Sequence, residues 1–230
     1  MASAQSTTSK RRLTAKGALT RERIVSTASD LMYVQGVERT SLDDVIEASG
    51  TGKSQMYHYF ADKSELVGEV VHTQIERVIA NQDPLLRRLD SMRGLERWRD
   101  AVVAGNRSRR GAHGCPLGSL SSELADYSEP ARTALSTGFD AWESLFADGL
   151  GRMQEKGELD DDADPAALAR GLMAALQGGL LLAQAKRDAD SLAIALDMAL
   201  AHIRARTTPS ASRPRASRSD GENVPDTTDH

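Results

Sequence analysis

The sequence predicts an all-α fold: three short N-terminal helices, joined by a long helix to a larger C-terminal helical bundle. Three observations predict it. The apolar residues, 40% of a 230-residue chain, are mostly Ala and Leu, and aromatics are only 4%. Strand-rich chains lean instead on Val, Ile, Tyr and Phe. Apolar residues recur at three- and four-residue spacing, in windows bounded by cap and stop residues, and period-two alternation is lacking.

Residues 1–19 are Ser/Thr/Ala-rich and basic without apolar periodicity, so they read as a disordered arm, with order beginning near Thr20. Ile24, Val25, Ala28, Leu31 and Met32 then share one helix face, which Gly36 ends. Thr40 is expected to start the second helix with Asp43 as a partial capping box. Leu42, Val45 and Ile46 form its buried edge, and it ends by Gly50. After the turn Ser49-Gly50-Thr51-Gly52, a third short helix runs from Lys53 to Phe60. Asp62 and Glu65 cap a fourth, longer helix, expected to stop near Gln82 because Pro84 follows.

The remainder is also helical. Windows at 92–107, 117–124, 130–150, 165–186 and 190–206 carry the pattern, with Pro130 and the pair Asp164-Pro165 as starts and Gly157 as a stop. The 165–186 helix is apolar almost all round and must be buried on several sides. From Thr207 onward periodicity ceases, and 207–230 read as a disordered tail.

Composition narrows the function. No run of 18 consecutive apolar residues occurs, so no transmembrane helix is expected. The polar, basic N-terminus lacks the apolar core of a secretory signal. One cysteine, Cys115, rules out an intramolecular disulfide or a multi-cysteine zinc site and suits a cytoplasmic setting. The net charge of −4 conceals a gradient: residues 1–63 carry about +2 and the rest about −6. Phosphate contact depends on local charge, and the basic end is where a nucleic-acid reader would sit.

The 41–60 stretch carries the chemistry. A short helix, a Gly-containing turn and a second short helix describe a helix-turn-helix. The second helix presents Lys53, Ser54, Gln55, Tyr57 and His58 outward and tucks Met56, with Tyr59 or Phe60, inward. Ser and Gln bond base edges, Lys bonds guanine or phosphate, and Tyr suits phosphate oxygens.

Ile24 to Leu66 resembles the DNA-binding domain of the tetracycline-repressor (TetR) family. The residues that carry this are Gly36, Thr40-Ser41-Leu42-Asp43-Asp44-Val45, Ala48-Ser49-Gly50 and Met56-Tyr57-His58-Tyr59-Phe60-Ala61-Asp62-Lys63-Ser64-Glu65-Leu66. Gly114-Cys115-Pro116-Leu117-Gly118 looks like one branch of the family's ligand domain. In the turn the chain departs from the family pattern, with Thr51 for the usual valine and Gly52 for the serine cap. The resemblance implies a DNA-binding domain over 20–66 and a ligand-binding and dimerisation domain over 67–206. It implies base contacts by Lys53, Ser54 and Gln55, and backbone contacts by Thr40, Tyr57, His58 and Lys63. It implies a homodimer through the helices near 165–186 and 190–206, where Gly171, Gly178 and Gly179 permit close approach. An effector pocket is expected among Trp98, Cys115, Phe139, Trp142, Met173 and Gln177. Few charges interrupt those apolar faces, which favours an apolar or aromatic effector.

The expected function is therefore transcriptional regulation by a homodimeric repressor, released from a palindromic operator by a small effector, with no cofactor or metal. The alternative is a repressor switched by oxidants or electrophiles at Cys115, whose thiol Arg107, Arg109, Arg110 and His113 would activate. His113 and Cys115 lack further ligands for a metal, and the run Asp160–Asp162 with Asp164 reads as a polar link. No nucleophile elbow, phosphate loop or HExxH pattern supports an enzyme. In the arm, Lys10, Arg11, Arg12 and Lys16 are candidates for DNA contact, and Arg21 and Arg23 for phosphates.

Overall fold

The computed structural model describes residues 14–207. Within them nine helices occur in order: α1 (Ala15–Gln35), α2 (Leu42–Ser49), α3 (Lys53–Tyr59), α4 (Lys63–Leu86), α5 (Met92–Ser108), α6 (Pro116–Leu124), α7 (Glu129–Glu155), α8 (Pro165–Lys186) and α9 (Asp190–Arg204). Helices α1–α3 and the start of α4 enclose a small core of Ile24, Ala28, Val45, Met56, Phe60 and Leu66, all essentially inaccessible. The rest of α4 crosses into a larger bundle, centred on Trp98, Leu135, Phe146, Leu150, Leu176 and Leu196.

Helix starts follow capping chemistry closely. Asp62 accepts from the Glu65 amide at 2.9 Å, and Asp164 from Ala166 and Ala167 at 2.9 and 3.2 Å. Four expected boundaries are corrected. Helix α1 begins at Ala15, not Thr20, because the Thr14 hydroxyl accepts from the Gly17 amide at 3.2 Å. Exposed Leu19 had hidden that first turn from the apolar pattern. The cap of α2 is Ser41, one residue after Thr40: Ser41 Oγ accepts from the Asp44 amide (3.1 Å), and Asp44 accepts from the Ser41 amide (2.8 Å).

Helix α4 runs through Pro84 to Leu86. The proline removes one hydrogen bond near the helix end, where disruption is cheapest. The end is held from α7, where Arg152 donates to the carbonyls of Leu86 (3.1 Å) and Leu89 (3.0 Å). Helix α9 stops at Arg204, because the Arg206 carbonyl accepts from the Asp160 amide (2.9 Å) and Thr207 bridges Leu159. The 207–230 tail beyond Thr207, and the arm residues Lys10, Arg11 and Arg12, lie outside the described residues.

By length and composition α8 is apolar enough to cross a membrane, which the test of consecutive apolar residues overlooked. It packs instead against α7 and α9, with Leu172, Met173, Leu176 and Leu180 buried.

Replacing Ser41 with Ala is expected to cost about 1 kcal/mol of stability. The Asp44 carboxyl is held below the usual aspartate range, first by the Ser41 amide and then by its hydroxyl. Its contribution is intact above the ordinary aspartate value of about 3.9 and drains away as pH falls below it. Urea melts of wild type and Asp44→Asn from pH 7 to pH 2.5 should therefore converge at the acid end.

Candidate nucleic-acid interface and effector cleft

The turn between α2 and α3 is built around two hydroxyls. Gly50 adopts the left-handed conformation (φ 61°) that ends α2. Thr51, buried where a methyl was expected, meets Ser49 through a 2.7 Å hydroxyl pair, so its polar atom is satisfied inside the turn. At Gly52, which lacks a side chain to cap α3, Gln55 Oε1 accepts from the Gly52 amide at 3.2 Å.

These local contacts fix which face of α3 is buried. Met56 and Phe60 point into the core, while Lys53, Ser54, Gln55, Tyr57 and His58 lie exposed on a continuous surface. Tyr59, offered with Phe60 as a core residue, is half-buried with its ring against His58. Lys53 Nζ stands 3.8 Å from Asp43, with both side chains largely exposed; such a pair is weak and easily yields to a phosphate. Half-buried Lys63 donates to the Glu38 carbonyl (3.2 Å) and retains two further N–H donors.

One expected phosphate contact is corrected, and a second residue is found paired. Thr40 is fully buried: its hydroxyl donates to the Gly36 carbonyl at 2.7 Å and accepts from Gln35 at 3.2 Å. It locks the α1–α2 turn instead of facing outward. Arg21 pairs with Glu69 of α4 at 2.7 Å and lies over the Phe60 ring, so its charge is engaged within the domain. Arg23 and Lys16 remain exposed on α1.

A cleft of about 540 Å³ opens where α1, α4, α5 and α8 meet. Trp142, Val102, Leu176 and Leu180 supply an apolar wall; Tyr33, Gln74, Asn81 and Arg109 supply polar edges. Of the expected pocket residues, Trp142 and Cys115 line this cleft. Phe139, Gln177 and again Cys115 line a second groove between α6 and α8. Trp98 and Met173 line neither. Trp98 packs edge-on against Phe146 (4.8 Å) and donates to Gln82 at 2.8 Å, deep in the core. The periodicity that marked all of them as inward cannot separate core from cavity wall. Sequence reading missed Tyr33 and the polar face of α4, because those residues look like ordinary solvent-facing positions.

Cys115 also departs from expectation. It caps α6, is almost wholly buried, and burial pushes its thiol up from the usual range. Hydrogen bonds from the Gly118 and Leu117 amides and from Gln177 oppose the rise without overcoming it. The activation expected from the neighbouring arginines and His113 is therefore reversed in direction, because the thiol faces inward, away from solvent. Alkylation of Cys115 by iodoacetamide should be slower than for a free thiol at pH 8. Its rate should still be climbing above the ordinary cysteine value, about 8.5.

The family model "Bacterial regulatory proteins, tetR family" matches residues 24–70, and the model "Tetracyclin repressor-like, C-terminal domain" matches residues 91–199. The chain belongs to the TetR family. As a TetR-family protein it is a helix-turn-helix transcription regulator. The chain is 29% identical over 171 residues to the uncharacterized HTH-type transcriptional regulator YxaF of Bacillus subtilis (strain 168), covering 73% of this chain and 86% of that protein. It is 25% identical over 177 residues to the HTH-type transcriptional repressor DhaR of Mycobacterium sp. (strain GP1), covering 75% and 86%. The crystal structure of regulatory protein TetR from Rhodobacter sphaeroides shares the fold, with a TM-score of 0.72 at 22% identity, covering 80% of this chain and 98% of that one. The all-α architecture read from the sequence agrees with these neighbours.

Proposed function

We propose that the protein is a homodimeric repressor whose two reading heads grip a palindromic operator until a small effector enters the cleft. The observation that carries this reading is the course of α4. The helix starts at Lys63 beside the reading helix, and its later residues Gln74, Arg77, Val78, Asn81 and Gln82 form one wall of the cleft. A ligand that displaces this wall tilts the helix on which the head is mounted. A coupling of about 1–3 kcal/mol would change operator affinity by roughly 5–150-fold. It requires that the effector prefer the conformation in which the heads no longer fit the two half-sites.

In each head, Lys53, Ser54 and Gln55 face base edges, while Tyr57, His58 and Lys63 face the backbone. Half-sites then lie roughly one helical turn, about 34–36 Å, apart. Dimerisation is supported by a surface that the monomer leaves open. Gly171, Ala174, Gly178 and Leu181 form an exposed stripe on α8 beside exposed Ile194, Met198 and Ala201 on α9. Small residues along such a stripe let a second copy approach closely, and Ile194 and Met198 gain most from being covered. The mixed lining of the cleft favours an effector with an apolar or aromatic body and a polar edge, which refines the mostly apolar or aromatic effector expected from the sequence. Repression as the mode of action is supported by DhaR, whose name describes a repressor.

The test is selection of bound duplexes from a random pool by the purified full-length protein, followed by sedimentation of the complex. Enrichment of an inverted repeat and a two-chain complex are the expected results. Recovery of unrelated sequences, or a lone chain on DNA, would overturn the reading.

A further inference from the structure

Besides α4, a second physical connection joins the bundle to the reading head. At the end of α1, Gly36 takes φ 92°, a conformation open to glycine, and turns the next two amides toward α6. The Glu123 carboxylate fills that position. Its Oε2 accepts from the Val37 amide at 2.7 Å and from the Glu38 amide at 3.4 Å. A Cβ on residue 36 would stand 3.2 Å from the same oxygen, so the absent side chain and the carboxylate fit one another. Hydrogen bonds to a charged acceptor are the stronger kind.

The residues clamped in this way form the entrance to the helix-turn-helix. Glu38 also gives its carbonyl to Lys63, the first residue of α4, and Ser41 opens α2 three residues later. At the other end of α6, Cys115 and Pro116 line the cleft. The preceding Gly114 carbonyl accepts from the Tyr33 hydroxyl at 3.2 Å, and Tyr33 itself lines the cleft from α1. Helix α6 spans only nine residues, about 13 Å at 1.5 Å per residue, and is anchored through buried Leu117 and Leu120. A short helix held at both ends moves as a unit. A displacement of its N-terminal end by an occupant of the cleft reaches Val37 and Glu38 without passing through α4.

We propose that Glu123 is a positioning residue that transmits occupancy of the cleft to the reading head through α6. The inference rests on the effector-released reading given above and adds to it a path specific to this chain. Coupling of this kind needs an element whose position both sites bias, and α6 touches both.

Cys115 provides a test in which the probe is defined. It is the only cysteine, so iodoacetamide places a single carbamidomethyl group at the N-terminal end of α6, between the cleft and the α6–α8 groove, and mass spectrometry checks completeness. Operator affinity is measured before and after alkylation for the wild type, Glu123→Ala and Glu123→Gln, on the selected duplex. Alkylation should weaken wild-type binding by about fivefold or more and Glu123→Ala binding by less than about twofold. Glu123→Gln should keep most of the response, because its amide oxygen still accepts from Val37. Before alkylation all three should bind alike. An equal response in wild type and Glu123→Ala overturns the inference. So does loss of operator binding by both unmodified variants with unchanged melting, which would make Glu123 a part of the head itself. A wild type insensitive to complete alkylation also overturns the inference, because the adduct loads the N-terminal end of α6 directly; the effector reading on which the inference rests stands or falls separately, on the operator selection above. Amide exchange provides a check that needs no effector: Val37 and Glu38 should exchange faster in Glu123→Ala than in wild type. Equal rates would show that the clamp does not form in solution.

Discussion

Alanine at Gln55 is expected to weaken binding of the selected operator by about 30-fold or more. A lost bidentate base contact costs about 1–3 kcal/mol, and the proposed dimer would lose it twice. Gln55 is exposed on α3 and also accepts from the Gly52 amide, so truncation removes a cap as well as the proposed base contact. Gln55→Glu separates the two effects, because it keeps the acceptor for Gly52 and loses the amide donor. Both variants should lose affinity and sequence preference, and both should retain their helix content by circular dichroism. Lys63→Ala, at a side chain assigned to the DNA backbone, should behave differently. It should weaken all duplexes about equally and flatten the dependence of log affinity on log salt by about one for each subunit. Anisotropy titrations over a salt series, on selected and scrambled duplexes, read both effects. Unchanged affinity in both Gln55 variants would remove Gln55 from base recognition.

Trp98→Ala is expected to produce the largest loss of stability, about 3–5 kcal/mol. Trp98 is fully buried, stacks edge-on against Phe146, and satisfies the Gln82 oxygen through its indole N–H. Truncation opens a cavity where α4, α5 and α7 meet and leaves Gln82 without that donor. For a chain of this size the melting temperature should fall by about 6–20 °C. Trp98→Phe should fall less, since an aromatic ring remains against Phe146 and the cavity left is smaller, although the indole hydrogen bond is lost. Calorimetry at matched protein concentration is needed, because the proposed dimerisation would contribute to the apparent stability. A fall below about 4 °C for the alanine variant would show that the site collapses onto the gap. Operator affinity of the folded fraction should fall far less than in the Gln55 variants, since Trp98 lies outside the head and meets the cleft wall only through Gln82.

The two ends of this molecule differ in how much of them could be read from the amino-acid order. In the head, residues close in sequence decide the outcome. Asp62 with Glu65 starts α4, Gly50 ends α2, and Met56 and Phe60 fall inward from the same helical period that turns Lys53, Ser54 and Gln55 outward. Caps and periodicity act over three or four residues, so they are visible in the chain. Even there, the choice between adjacent hydroxyls escaped them. Thr40 and Ser41 are both good caps, and the α1–α2 turn decides that Thr40 is buried and Ser41 caps.

In the bundle, partners far apart in sequence decide. Arg152 holds the α4 end beyond Pro84 from 66 residues away. Trp98, Met173 and Trp142 share one apolar signature, yet only Trp142 reaches the cleft, because helix packing leaves a gap beside it and none beside the others. Cys115 lies among basic residues in sequence and in a desolvated position in space, and desolvation sets its thiol. Glu123 has no local signature at all, and its role arises when α6 docks 86 residues away against Val37. The helices, the helix-turn-helix and the face of α3 turned to solvent follow from the order of residues alone. The tertiary structure alone decided which inward residues enclose a cleft, how the thiol is poised and where the bundle grips the head, because burial and long-range hydrogen bonds exist only once the helices have packed.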